Sequence, residues 1–315
     1  MATNTSKKLI SFVIPVYNEE AAIPALVKEI SSFINKNKAY EFEVIYVENG
    51  SHDKSYKLLS EAAKKEPCFK VLQLSRNFEC DGGIAAGMHY VKGDACVVMM
   101  ADLQEPLWVV LEFIKKWEDG YDIVYGIVEK RTGSPMRNWL SVKYYKLLNM
   151  ATNNAFPESV SDFRLIDKQV VEAINSMPEQ NKYLRGLVMW TGFKHTGIKF
   201  DRLDRVAGES KADLITVLRV AKNGLFSFSY LPLRFVSYLG IGMTIISFVL
   251  ITFYLVLFVI QGRVAPGITS ILLLLLFLFG VLFFILGIIS EYIARIYEEA
   301  KHRPTYIVKN TLNMK

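Results

Sequence analysis

Short apolar runs alternate with amphipathic stretches over the first part of the chain. Five runs rich in Val, Ile, Leu and aromatic residues predict strands at 9–16, 42–47, 69–74, 95–100 and 121–127. Stretches long enough for crossover helices lie between them, at 19–37, 53–66, 82–91 and 106–117. Because continuous apolar runs are typical of strands buried on both faces, this alternation predicts a parallel α/β sheet covered by helices.

Polar clusters follow four of the predicted strands at their carboxyl ends. They occupy residues 15–19, 48–53, 75–78 and 101–106. Each cluster alone would be an ordinary turn. Because ligands of open α/β sheets bind at the carboxyl ends of the strands, four such clusters on one edge predict a binding site there.

Two long segments without charged residues follow the α/β region. Residues 235–260 form a run of 26 and residues 264–290 a run of 27, separated by Gln261, Gly262 and Arg263. As a helix each run would extend about 39 Å, which exceeds the roughly 30 Å hydrocarbon core of a bilayer. A helix buried in a soluble core needs about half that length, so the pattern predicts a transmembrane hairpin.

The flanks of this hairpin are basic. Three basic residues precede it and four follow it, namely Arg219, Lys222, Arg234, Arg295, Lys301, Arg303 and Lys309, whereas the loop holds Arg263 alone. The N-terminal apolar run is short and broken by Pro15, unlike a signal peptide. The positive-inside rule therefore predicts that both termini and the α/β body lie on the cytoplasmic side.

Composition narrows the class further. The chain is 51% hydrophobic and 22% charged, with a mean hydropathy of +0.23, which excludes a disordered protein. Three cysteines, Cys68, Cys80 and Cys96, are too few for a disulfide scaffold and have no histidine pair nearby for a zinc site. The net charge of +6 is concentrated in residues 182–234, which hold ten Lys or Arg against four Asp or Glu. Beside a transmembrane span, such a surplus favours anionic lipids and phosphorylated substrates over nucleic acid.

A basic segment at 131–154 allows two interpretations. It contains Arg131, Arg137, Lys143 and Lys146 and no acidic residue, with apolar residues at helical spacing. A helix at about 136–151 could lie in the membrane interface or pack on the sheet with a solvated basic face, and the sequence does not decide between them.

Ten ordered motifs resemble one enzyme family. They are FVIPVYNEE (12–20), VENGSHD (47–53), LSRNF (74–78), ADLQEP (101–106), YGIVEKRTG (125–133), SDFRLIDKQVV (161–171), LRGLVMWTGF (184–193), RLDRVAGESK (202–211), FSFSYLPLR (226–234) and SEYIARIYEEAKHRPTYIV (290–308). The chain resembles the inverting GT-A-type glycosyltransferases that act on polyisoprenyl phosphates. These include bactoprenol glucosyltransferases, aminoarabinose transferases and dolichol-phosphate mannose synthases. The resemblance spans nearly the whole chain, and the two-span tail is most similar to the bactoprenol branch.

The resemblance implies an architecture and a reaction. It implies a Rossmann-like GT-A domain over residues 1–230, a transmembrane hairpin over 231–290 and a cytoplasmic segment over 291–315. The reaction would move a hexose, with glucose favoured, from a UDP-sugar to undecaprenyl phosphate with inversion, for modification of a surface polysaccharide. It would take place at the cytoplasmic face of a bacterial inner membrane, in a homo-oligomer.

The resemblance also implies roles for individual residues. Asp102 would bind Mg²⁺ or Mn²⁺ with Gln104 nearby, because a divalent cation offsets the charge of a diphosphate leaving group. The nucleotide-sugar site would be formed by Pro15, Tyr17, Glu19, Glu48, Asn49, Arg131, Arg202, Arg205 and Lys211, the four basic residues acting as phosphate clamps. Each of these basic residues could instead be a solvated surface charge.

Asp162 would be the acid at the reacting centre. A phosphomonoester has a second pKa of about 6, so the lipid acceptor is mostly dianionic at pH 7 and already nucleophilic. We therefore expect Asp162 to orient groups or to stabilise positive charge on the sugar, more than to remove a proton. A helix N-cap or a salt bridge to Arg164 is the structural alternative.

Two positions depart from the family pattern. Met100 stands where the first acid of an Asp-x-Asp metal motif is usual, and Asn49 stands where an acid is common, although Glu48 is adjacent. A thioether is a poor ligand for Mg²⁺ or Mn²⁺. Asp102 could hold the metal together with the donor diphosphate and water, or the enzyme could be impaired. The departures also leave open another donor sugar (galactose, N-acetylhexosamine or aminoarabinose) and a non-catalytic membrane scaffold.

Overall fold

The computed structural model describes residues 7–129, 160–180, 182–204, 231–261 and 267–314. The chain divides into two compact units, which we call the α/β unit and the helical unit. The α/β unit comprises Met1–Asn223 together with Arg303–Lys315, and the helical unit comprises Gly224–His302. The predicted interfacial helix at about 136–151 lies outside the described residues.

The α/β unit is built on an eight-stranded sheet. Its strands are β1 (Leu9–Val16), β2 (Glu41–Glu48), β3 (Phe69–Leu74), β4 (Ala95–Val98), β5 (Ile123–Val128), β6 (Val160–Asp167), β7 (His195–Phe200) and β8 (Val308–Leu312). Their order across the sheet is β7-β5-β6-β4-β1-β2-β3-β8. β1 and β2 lie at the centre and are almost wholly buried, which explains their continuous apolar sequence.

The sheet is mixed, so the prediction of a purely parallel sheet is wrong at two places. β1 pairs in parallel with β2 and β4. β3 pairs in parallel with β2, and β7 pairs in parallel with β5. β6, however, lies antiparallel between β4 and β5, and β8 lies antiparallel to β3. The five strands predicted from apolar runs are all present. Order and direction depend on long-range pairing, which an apolar run does not encode.

Six helices of the α/β unit are described. They are α1 (Ile23–Lys36), α2 (Ser55–Lys65), α3 (Glu79–His89), α4 (Trp108–Glu118), α5 (Lys168–Ser176) and α6 (Leu184–Trp190). α3 lies closest to the sheet because it consists largely of small residues. A Cβ atom at Gly87 would come within 2.4 Å of Val13 and 2.9 Å of Val47, so only glycine permits this approach. The N-terminus of α3 is thereby fixed beside the carboxyl ends of β1 and β2.

The helical unit contains α7 (Leu231–Gln261) and α8 (Ile268–Ala300). Both are long and apolar enough to cross a membrane, over Leu231–Leu250 and Leu274–Ala300. In their most apolar windows only 6% and 0% of the residues are buried within the protein. Large apolar side chains that point outward over such lengths match a lipid environment, and the protein is membrane-associated.

The predicted C-terminal segment 291–315 is divided between the two units. α8 continues past residue 290 to Ala300, where an ion pair between Glu291 and Arg295 at 3.4 Å links successive turns. The chain then supplies β8 to the edge of the sheet, where Asn310 donates a hydrogen bond to Gln73 at 2.8 Å. Its last residues therefore belong to the α/β unit.

Candidate active site

The loops after β1 and β2 are joined by reciprocal hydrogen bonds. The backbone N–H of Asn18 donates to Ser51 Oγ at 3.0 Å, and the Asn18 side chain accepts from the His52 N–H at 2.9 Å. The Glu19 N–H donates to Ser55 Oγ at 3.0 Å. Asn18 takes the left-handed conformation, with φ 51°, which asparagine tolerates better than most residues. The two loops therefore form one preorganised edge.

Three predicted nucleotide-site residues belong to this edge. Pro15, Tyr17 and Glu19 are half-buried at and just after the end of β1. Their placement at the carboxyl end of a central strand agrees with the general position of ligand sites in open α/β sheets. Their contact with a nucleotide stays a prediction.

Glu48, the last residue of β2, is fully buried. Its Oε1 accepts a hydrogen bond from the Ser51 N–H at 2.5 Å. Its Oε2 is also buried and has no hydrogen-bond partner among the described residues. An unpaired buried carboxylate oxygen is costly, and this one lies at the carboxyl end of a central strand, where ligands of open α/β sheets bind.

Asn49, which departs from the family pattern, has a structural function. It is 3% exposed. Its Oδ1 accepts from the Phe78 N–H at 2.9 Å, and its Nδ2 donates to the Glu79 carbonyl at 2.7 Å. Glu79 itself has a positive φ of 63°, so the amide holds a strained turn at the start of α3. A carboxylate at position 49 could accept but could not donate.

The loop after β4 carries Asp102. It is a tight loop in which Leu103 has a φ of 55° and the Gln104 N–H donates to Asp102 Oδ1 at 3.3 Å. Asp102 is half-buried at the carboxyl edge of the sheet. Met100 is also half-buried, and its thioether lies 4.0 Å from the Cys80 sulfur. Position 100 therefore offers a thioether, a poor ligand for Mg²⁺ or Mn²⁺, in place of a carboxylate.

Arg202 is held beside the Asp102 loop by backbone contacts of the next residue. The Leu203 N–H donates to the Gln104 carbonyl at 2.9 Å, and the Gln104 side chain donates back to the Leu203 carbonyl at 3.4 Å. The guanidinium of Arg202 adds, after those of Arg185 and Arg164, to the lowering of the pKa of Asp162, and it partly offsets the rise that burial causes in the pKa of Glu105. A cation and a partly exposed carboxylate thus share one side of the site.

Asp162 lies on β6, where it accepts hydrogen bonds from two arginines. Arg185 Nε reaches Asp162 Oδ1 at 3.0 Å and Arg185 Nη2 reaches Oδ2 at 2.5 Å, and Arg164 Nη2 reaches Oδ1 at 3.1 Å. Burial alone would raise the pKa of Asp162, but the charge and hydrogen bonds of Arg185, followed by the charge of Arg164, lower it to about 2. The salt bridge to Arg164 is therefore present, and the helix N-cap alternative is wrong because Asp162 lies within a strand.

Two carboxyl groups that the sequence did not single out surround this cluster. Glu105 is 3% exposed, and it accepts hydrogen bonds from the Met100 N–H at 2.8 Å and from Ser161 Oγ at 3.3 Å. Asp81, in the first turn of α3, lies beside the Leu184 N–H. Burial, and then neighbouring carboxylates, raise the pKa of each to about 7. Because Glu105 belongs to the ADLQEP motif, the sequence shows a carboxyl group at this position, but it does not show that the group is buried.

The metal hypothesis depends on Asp102. Within the described ranges, no group of three or more His, Cys, Asp or Glu side chains is arranged to hold a metal ion. Magnesium, however, binds through one or two carboxylates together with substrate phosphates and water. A single partly exposed carboxylate fits a cation that arrives with a diphosphate. The predicted phosphate clamps Arg131, Arg205 and Lys211 lie outside the described residues.

Comparisons with known proteins give one family. The model of glycosyl transferase family 2 matches residues 11–174. The bactoprenol glucosyl transferase of Shigella phage SfV is 36% identical over 302 residues, covering 96% of this chain and 98% of the phage protein. The glycosyltransferase YkcC of Bacillus subtilis is 38% identical over 302 residues, covering 96% of this chain and 93% of YkcC. Glucosyl-3-phosphoglycerate synthase from Mycobacterium tuberculosis, solved with Mn²⁺, UDP and phosphoglyceric acid, shares the fold with a TM-score of 0.50 and 16% identity, over 68% of this chain and 75% of the other.

Proposed function

The chain belongs to glycosyl transferase family 2, and from that premise we propose that it transfers a hexose from a UDP-sugar to undecaprenyl phosphate. Glucose is the favoured sugar, since the bactoprenol glucosyl transferases match along almost their whole length, both apolar helices included. The reaction inverts the anomeric carbon and takes place at the cytoplasmic face of the membrane. The basic residues that flank the two spans support this orientation.

The observation that carries the proposal is the meeting of the Asp102 loop with Arg202. The double hydrogen bond between Gln104 and Leu203 fixes this contact. A carboxylate able to bind Mg²⁺ or Mn²⁺ and a guanidinium able to bind phosphate together match a diphosphate leaving group. When bound, the cation would neutralise charge on the departing UDP. Glu48, whose buried Oε2 has no hydrogen-bond partner in the part of the chain that the structure describes, supplies an acceptor for an N–H donor of the base.

The reaction requires little proton transfer by the protein. An acceptor phosphate oxygen forms a bond to the anomeric carbon while the bond from that carbon to the UDP oxygen breaks. The phosphomonoester is mostly dianionic at pH 7, so no proton needs to be removed. Asp162, with a pKa of about 2, is a carboxylate throughout the physiological range and a weak base. Its part is to stabilise positive charge that develops on the sugar and to orient the reacting groups.

The test is transfer from a panel of radiolabelled UDP-sugars to undecaprenyl phosphate, using the full chain in membranes with and without EDTA. One donor should label the lipid, and EDTA should stop the labelling. No labelled lipid from any donor, with folded protein confirmed, would contradict the proposal. It would favour the scaffold alternative, which Met100 motivates and which predicts no metal-dependent binding of a UDP-sugar.

A further inference from the structure

Asp162 forms a bidentate ion pair with an arginine from a different structural element. Arg185 lies in the first turn of α6, whereas Asp162 lies on β6. The two nitrogens of the Arg185 fork contact the two oxygens of the carboxylate, at 3.0 and 2.5 Å. This bidentate geometry sets both the position and the rotation of a carboxylate, which a single contact does not.

Arg164 binds the same carboxylate in a different way. It reaches Oδ1 alone, at 3.1 Å, and its other hydrogen bonds go to the Ser161 and Asp162 carbonyls at 3.2 Å. These partners lie on its own strand, and Arg164 is only 4% exposed. Arg164 therefore braces the local backbone and adds charge. The orientation of the carboxylate depends on Arg185.

The start of α6 also lies close to a second carboxyl group. The Leu184 N–H lies beside Asp81 in the first turn of α3, and Leu184 directly precedes Arg185. α3 is pressed onto the sheet through Gly87, so Asp81 is carried by a rigid helix. The backbone that carries Arg185 is therefore held in place, as is the Asp162 carboxylate that its guanidinium contacts.

We infer that Arg185 is a positioning residue for the transfer reaction, which acts by holding both carboxylate oxygens of Asp162 in one orientation toward the reacting sugar. The inference rests on the proposed function. The side chains of Arg185 and Asp162 are 23% and 26% exposed, so the pair is partly accessible and is not enclosed in the core. Misplacement of a reacting group by about 1 Å can reduce a rate about 100-fold.

The test compares Arg185→Lys and Arg185→Met with Lys168→Met in the full chain. Lys168 is 57% exposed and pairs with Glu172 on the surface of α5, so its substitution is a matched loss of charge outside the site. Arg185→Lys keeps the charge but not the fork. We expect a kcat lowered about 10- to 100-fold, a donor KM within about threefold of wild type, a larger loss for Arg185→Met, and no change for Lys168→Met.

A second readout does not require activity. Apparent melting temperatures are measured for Arg185→Met, Asp162→Asn and the double variant, and the two losses should be strongly non-additive because the side chains share one interaction. Additive losses would overturn the inference, and so would an unchanged kcat in Arg185→Lys while the wild type is active. An inactive wild type refutes the proposed function and the inference with it. Coupled melting losses would then leave the contact purely structural.

Discussion

The substitution Asn49→Asp separates two explanations for the departure at that position. If asparagine merely replaces a lost nucleotide ligand, restoring the acid should lower the KM for the UDP-sugar. The structure predicts destabilisation instead. The Nδ2 donor to the Glu79 carbonyl at 2.7 Å would become a carboxylate oxygen that faces another oxygen, at a side chain only 3% exposed.

The magnitude follows from the lost hydrogen bond. Removing one partner of a buried hydrogen bond costs about 1–3 kcal/mol, and a buried negative charge adds to this cost. A loss of about 2 kcal/mol would lower the melting temperature by about 4–8 °C in a domain of 150–250 residues. The cost should shrink as the pH falls, because the buried carboxyl has a raised pKa and, once protonated, can donate to Glu79 again.

The assay is thermal unfolding of the full chain in detergent, followed by tryptophan fluorescence between pH 5 and 8. Asn310→Asp is the matched control, since Asn310 makes an exposed side-chain hydrogen bond to Gln73. The same chemical change there should alter the stability by less than about 0.5 kcal/mol. An unchanged melting temperature for Asn49→Asp, combined with a lower KM for the donor, would refute the reasoning.

Three further predictions concern Asp102, Met100 and Asp81. Asp102→Ala should abolish transfer while the circular dichroism spectrum and membrane binding are kept; retained transfer would remove the metal hypothesis. Met100→Asp should lower the Mg²⁺ or Mn²⁺ concentration that gives half-maximal activity, and an unchanged titration curve would show that position 100 does not face the ion. Asp81→Asn keeps an acceptor for the Leu184 N–H but does not titrate. In the wild type the pKa of Asp81 is raised to about 7 in the folded state, so folding binds a proton and stability falls as the pH rises from about 4 to 7. The variant should therefore melt higher than wild type at pH 8 and converge with it as the pH falls toward 4, and parallel pH curves would contradict this assignment.

Local sequence was sufficient for β1 to β5, for the two long apolar helices and for the family, but it did not predict β6, β7 or β8. The apolar runs predicted β1 to β5 because strands buried on both faces are continuously apolar, and two charge-free runs predicted helices long enough to span a bilayer. The ordered motifs identified a glycosyltransferase of the bactoprenol glucosyltransferase type, which the comparisons confirm. The individual site residues remain predictions.

Pairing between distant residues was decided only by the tertiary structure. β6 enters the sheet antiparallel between β4 and β5, and β8 returns from beyond α8 to pair with β3. The bidentate partner of Asp162, Arg185, is 23 residues away, and Asn49 bonds Glu79 across 30 residues. Periodicity and motif spacing report which face a residue occupies, whereas the charge state of Asp162 and the structural function of Asn49 depend on what the fold brings against them.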